Sequence, residues 1–85
     1  MATTTYVITD PEGIHARPAG LLVKEAKKFE SNISVFKGAR KGDLKKIFTI
    51  MALGVKQGET IKVQVEGADE EQAASAVEAF LKENF

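Results

Sequence analysis

The sequence predicts an α+β domain in which a four-stranded antiparallel sheet carries three helices on one face. Three observations lead there. Thr60 to Glu66 alternates apolar Ile61, Val63 and Val65 with polar neighbours, the period of two that marks a strand with one buried face. Ala19, Leu22, Val23, Ala26 and Phe29 recur at steps of three and four, the spacing of an amphipathic helix. The other apolar runs are short and closely spaced, and give the order strand, helix, strand, strand, short helix, strand, helix.

The first strand is expected over Tyr6-Val7-Ile8-Thr9, ended by the turn chemistry of Asp10-Pro11-Glu12-Gly13. Pro18 has no N–H to lose and is tolerated in a first helical turn, so the first helix begins near it, with Lys24, Lys27 and Lys28 mostly off its buried face. Asn32 to Lys37 reads as a strand that turns at Lys37-Gly38-Ala39-Arg40 and returns over Lys41 to Leu44. Ile47 to Leu53 is an almost wholly apolar run closed by Gly54, two turns of helix stopped at a glycine. In the last helix Asp69 stands three residues before Gln72, a capping-box pattern, ahead of Ala73, Ala74, Val77, Phe80 and Leu81 on one side.

At 85 residues the chain makes one small domain over residues 1–85, with no linker and no internal repeat. Its 44% apolar and 28% charged residues are an ordinary globular mixture, not that of disorder. Lys and Arg number 12, as do Asp and Glu, so there is no global field to hold nucleic acid or an anionic membrane. No cysteine is present, which removes disulfides and thiolate chemistry; with one histidine, neither a metal nor another cofactor is expected. There is no leader pattern, and no apolar stretch near the roughly 20 residues that span a bilayer, so the expected location is cytoplasmic.

The chemistry concentrates around the single histidine, His15, at the seam between first turn and first helix. Unpaired N–H groups of the first turn and the positive end of the helix dipole favour an anion there. The same field disfavours an imidazolium, leaving a lone pair free to attack phosphorus. Arg17 supplies a charged donor fork close by. By composition alone, a surface or capping histidine and a solvated arginine remain the commoner explanation.

The string Gly13-Ile14-His15-Ala16-Arg17-Pro18-Ala19 resembles the phosphohistidine signature of the HPr family, the phosphocarriers of the bacterial sugar phosphotransferase system. The likeness continues through Leu22-Val23, Ala26, Leu44-Lys45, Ile47, Met51-Ala52-Leu53-Gly54, Gly58 and Glu66-Gly67-Ala68-Asp69-Glu70. It implies an open-faced β-sandwich. It also implies phosphorylation at Nδ1 of His15 by enzyme I, charged from phosphoenolpyruvate, and donation to sugar-specific IIA domains. Arg17 then stabilises the phosphoryl group, and the backbone N–H groups of Ala16 and Arg17 cradle it. One residue departs from the family: Lys46 stands where many members carry a serine phosphorylated by a dedicated kinase. Lysine has no acceptor hydroxyl, so that regulatory branch is expected to be absent or altered, and the helix start is expected to fray.

If Ile50 and Leu53 face the core, Ile47, Phe48 and Met51 form an outer patch of the kind that marks a docking surface. The family uses this short helix to bind enzyme I and IIA. Gly20, Lys24 and Lys27 are expected beside it, with Lys45 and Lys46 completing a basic ring, whereas Arg40 and Lys41 are expected only to solvate a hairpin. A helix buried on both sides is the competing reading of the patch. Three other functions compete with the sugar carrier. One is an HPr-like regulator or nitrogen-branch homologue working mainly by binding, and another is a ligand- or RNA-binding α/β module, disfavoured by zero net charge and the lack of a stacking motif. An autonomous enzyme is least favoured, since there is no paired general base and little room for a substrate pocket. The expected assembly is a monomer.

Overall fold

The computed structural model describes residues 1–85. Seven elements follow in the expected order: β1 (Ala2–Val7), α1 (Ala16–Ala26), β2 (Asn32–Lys37), β3 (Arg40–Asp43), α2 (Ile47–Met51), β4 (Thr60–Glu66) and α3 (Glu70–Asn84). The strands form one antiparallel sheet in the order β1-β4-β2-β3. β4 is central, pairing Val65 with Ala2 on one side and with Ile33 on the other. Its alternation does what the sequence requires: Ile61, Val63 and Val65 are buried, while Thr60, Lys62 and Glu66 lie on the open face.

The helices cover the other face. Ala19, Leu22, Val23 and Ala26 of α1 join Ala73, Val77 and Leu81 of α3 and the inner residues of β2 and β4 in one cluster of 19 buried residues. Ile50 and Leu53 reach the same cluster from α2 and the turn after it. Helical spacing placed all four buried α1 residues correctly, but Phe29 lies beyond the helix, in a turn held by bonds from the Lys28 and Phe29 N–H groups to Glu25 and Ala26.

Four expectations are corrected. The first strand spans Ala2–Val7 rather than 6–9. It is an edge strand with no fully buried residue, so its threonines pair with β4 without an apolar signal, and Ile8 enters the core just past its end. The return strand lies one residue earlier, at Arg40–Asp43, and α2 ends at Met51, two residues short of Leu53. The third correction concerns Asp69, which precedes α3 but makes no capping bond with its side chain. Its carboxylate instead accepts the Glu30 and Ser31 N–H groups, each at 2.9 Å, and the Ser31 hydroxyl. These donors, the Ser31 hydroxyl foremost, hold the Asp69 carboxyl below its ordinary range. The fourth concerns the hairpin. Arg40 donates to the Ala52 carbonyl at 2.9 Å and Lys37 to that of Gly54 at 3.0 Å, so the two cations satisfy acceptors just after α2.

The start of α2 is tied down without help from Lys46, whose side chain makes no cap. Thr49 Oγ1 accepts the Asp43 N–H at 2.8 Å and lies 2.7 Å from the Lys46 carbonyl and 2.9 Å from that of Asp43. The fraying expected at this end meets a threonine the sequence reading left out.

Candidate functional site

The segment between β1 and α1 is held on two sides. On one, Gly13 is buried with φ +67°, a region that disfavours any side chain, and a β-carbon there would stand 2.3 Å from the Val55 carbonyl oxygen. The next residue, Ile14, is buried and donates its N–H to that same oxygen at 3.1 Å. On the other side the Phe85 carbonyl accepts the Thr9 N–H at 2.6 Å, the Asp10 N–H at 2.9 Å and the Thr9 hydroxyl at 2.8 Å. Within the turn, Asp10 accepts the Gly13 N–H with its carbonyl and the Glu12 N–H with Oδ1. Backbone contacts therefore fix where the next residue begins.

That residue is His15, the N-cap of α1, with extended φ −109° and ψ 168°. Its side chain makes no cap and is 34% exposed. Nε2 lies 3.4 Å from Asp10 Oδ2 and Nδ1 lies 3.3 Å from Glu12 Oε2. The Phe85 ring meets the imidazole edge-on, at 6.4 Å between centroids and 78° between planes. Ala16 and Arg17 open the helix, so their N–H groups have no intrahelical acceptor and find none elsewhere. Pro18 follows with no N–H at all. The Arg17 side chain is exposed and enters no ion pair.

The arrangement puts a ring nitrogen, two open backbone donors and a helix end at one exposed place, surroundings that favour an anion, with Arg17 in the first turn of the same helix. Two carboxylates stand on the other sides of the ring. Asp10, Glu12 and His15 bring one donor atom each within 4.8 Å of one another. The carboxylates face opposite ring nitrogens, so the three bracket the imidazole rather than converge on one ion.

The outer face of α1 and α2 carries the residues that the sequence led us to expect in a docking surface. Phe48 is 86% exposed and Met51 37% exposed, while Ile47 is half-buried where it meets Gly20 of α1. Lys24, Lys27 and Lys46 are exposed. Lys45 leaves the expected basic ring, because its ammonium donates to the Phe29 carbonyl at 2.7 Å. One apolar residue was missed: Leu21, 50% exposed, stands four residues after Arg17 and three before Lys24, on their helix face. Its position off the 19, 22, 23, 26 stripe was a readable signal. The Asp10 and Glu12 contacts were not readable, since they depend on the turn folding back over the ring.

Residues 2–83 match the family model described as the PTS HPr component phosphorylation site. The chain is 46% identical over 77 residues to the phosphocarrier protein HPr of Mycoplasma capricolum, covering 91% of this chain and 86% of that one. A solved histidine-containing phosphocarrier protein of Mycoplasma has a TM-score of 0.93 and 41% identity, covering 96% of this chain and 93% of its own. The HPr dimer of Thermoanaerobacter tengcongensis has a TM-score of 0.78 and 43% identity, over 98% of this chain and 95% of that one.

Proposed function

This chain belongs to the HPr family of phosphotransferase-system phosphocarriers, and from that premise we propose that it takes a phosphoryl group from phosphorylated enzyme I onto His15 and donates it to sugar-specific IIA domains. The observation that carries this reading is the placement of His15 at the N-cap of α1, beside the open N–H groups of Ala16 and Arg17. The reacting form is the neutral tautomer with its hydrogen on Nε2, which Asp10 can accept, and its lone pair on Nδ1. That lone pair forms the new N–P bond as the bond from phosphorus to the donor breaks and its electron pair stays with the donor. The phosphoryl oxygens then accept the Ala16 and Arg17 N–H groups, and the guanidinium balances their charge. Transfer of this kind is mostly positioning and charge neutralisation, so the chain works as a carrier rather than as an enzyme of its own.

Partner proteins dock on Gly20, Leu21, Lys24, Lys27, Ile47, Phe48 and Met51, where exposed apolar surface lies beside lysines. The working unit is a cytoplasmic monomer. No helix is long and apolar enough to cross a membrane. The test is transfer in both directions: labelled phosphoryl supplied through enzyme I appears on this chain, and leaves it when a IIA domain is added. Uptake without release to any sugar IIA domain favours the regulator or nitrogen-branch reading, and no uptake overturns the carrier.

A further inference from the structure

We propose that Glu12 is a charge gate on the phosphoryl-bearing nitrogen: its carboxylate stands at Nδ1 in the free protein, is displaced when the phosphoryl group arrives, and by repelling that group raises the carrier's tendency to give it away. The inference rests on the reading of His15 as a phosphoryl acceptor at Nδ1. The two carboxylates beside the ring are not equivalent. Asp10 is anchored, its Oδ1 accepting the Glu12 N–H at 2.8 Å and its carbonyl bonded to Gly13, while Oδ2 faces Nε2, the nitrogen that does not take the phosphoryl group in this reading. Glu12 is 73% exposed, and its carboxylate has no partner other than the ring.

A phosphoryl group on Nδ1 enters the space now held by Glu12 Oε2, 3.3 Å from that nitrogen. The backbone of Glu12 is tethered through its N–H, so the carboxylate can swing aside but cannot go far. It therefore remains a like charge close to the phosphoryl oxygens, which already receive what Arg17 and the helix end offer. Unit charges about 4 Å apart in water repel by about 1 kcal/mol, which is roughly a fivefold change in an equilibrium. No atom of Glu12 takes part in the transfer. The N–P bond forms and breaks as before, and only the relative stability of the free and phosphorylated carrier changes.

The experiment compares the wild type, Glu12→Gln and Glu71→Gln in the transfer equilibrium with enzyme I and phosphoenolpyruvate, at about 0.1 M and about 1 M salt. Glu71 is exposed in the first turn of α3, at the far end of that helix from Phe85 and the site, so its replacement makes the same change of net charge elsewhere. The expected result is an equilibrium shifted about fivefold toward the phosphorylated carrier in Glu12→Gln, shrinking toward unity at high salt, with Glu71→Gln like the wild type. A Glu12→Gln equilibrium within twofold of a wild type that does accept phosphoryl overturns the gate and leaves the carrier reading standing. A shift equal at both salt concentrations, or matched by Glu71→Gln, also overturns it. Nitrogen-15 NMR of the phosphorylated imidazole showing the group on Nε2 does the same, and a wild type that takes no phosphoryl removes both readings.

Discussion

Replacing Gly13 with alanine is expected to damage the fold and the site together. The residue sits at φ +67°, where a β-carbon costs about 1–2 kcal/mol, and that carbon would stand 2.3 Å from the Val55 oxygen and 2.8 Å from the Lys56 α-carbon. Both neighbours are backbone, so relief requires the 54–56 segment to move away and to lengthen the bond from the Ile14 N–H to Val55, worth about 1 kcal/mol. The combined loss is about 2–3 kcal/mol, which for a chain of this size lowers Tm by about 10–20 °C. Because Ile14 directly precedes the histidine, the rate of phosphorylation of His15 falls as well, even in the fraction that stays folded. Urea unfolding followed by circular dichroism gives the stability, and a phosphorylation time course well below Tm gives the site effect. A Gly13→Ala protein within about 0.5 kcal/mol of the wild type, phosphorylated at the same rate, would refute the claim that this close approach holds the site in place.

Two further outcomes follow from the same contacts. Phe48→Ala, at a side chain that packs against almost nothing in the free protein, changes stability by less than about 0.5 kcal/mol, yet weakens enzyme I binding by about tenfold or more in calorimetric titration. Asp69 has its folded-state pKa lowered by the Ser31 hydroxyl and by backbone N–H groups, so its contribution is fully present above the ordinary carboxylate value and is lost as pH falls through the folded one. Urea midpoints measured from pH 6 downward therefore decline less steeply in Asp69→Asn than in the wild type, and parallel curves would count against the assignment.

How far the sequence could be read depended on whether a residue's role was set by its neighbours in the chain. β4 was legible to its ends because it is an inner strand, buried on one face and open on the other, and its alternation records that directly. The α1 stripe was legible for the same reason, and so was the outward aim of Phe48 and Met51 from a helix too short to bury its whole apolar run. β1 was misplaced because an edge strand of threonines, paired on one side only, carries no apolar rhythm. Asp69 was misread because two destinations competed for its carboxylate, and the Glu30–Ser31 backbone, distant in sequence, won over the first turn of its own helix.

At the site, local pattern singled out the histidine and the arginine and located the helix start. It could not show that Asp10 and Glu12 bracket the ring, nor that Phe85 closes over it, because these contacts are made by a turn folding back and by the far end of the chain. The role of Phe85 is now visible: its ring is buried against the imidazole edge, and its carbonyl holds the strand end that carries Asp10. Arg40, expected only to solvate a turn, proved to reach a carbonyl just past α2, a contact between segments that no local pattern encodes.

The central claim is that His15 carries the phosphoryl group, and intact mass tests it most directly. The protein and His15→Ala are each incubated with enzyme I, magnesium and phosphoenolpyruvate, then weighed before and after brief acid treatment. The account predicts one acid-labile phosphoryl addition on the wild type and none on the variant. An addition that survives acid or persists in His15→Ala, or no addition to the wild type, would contradict it.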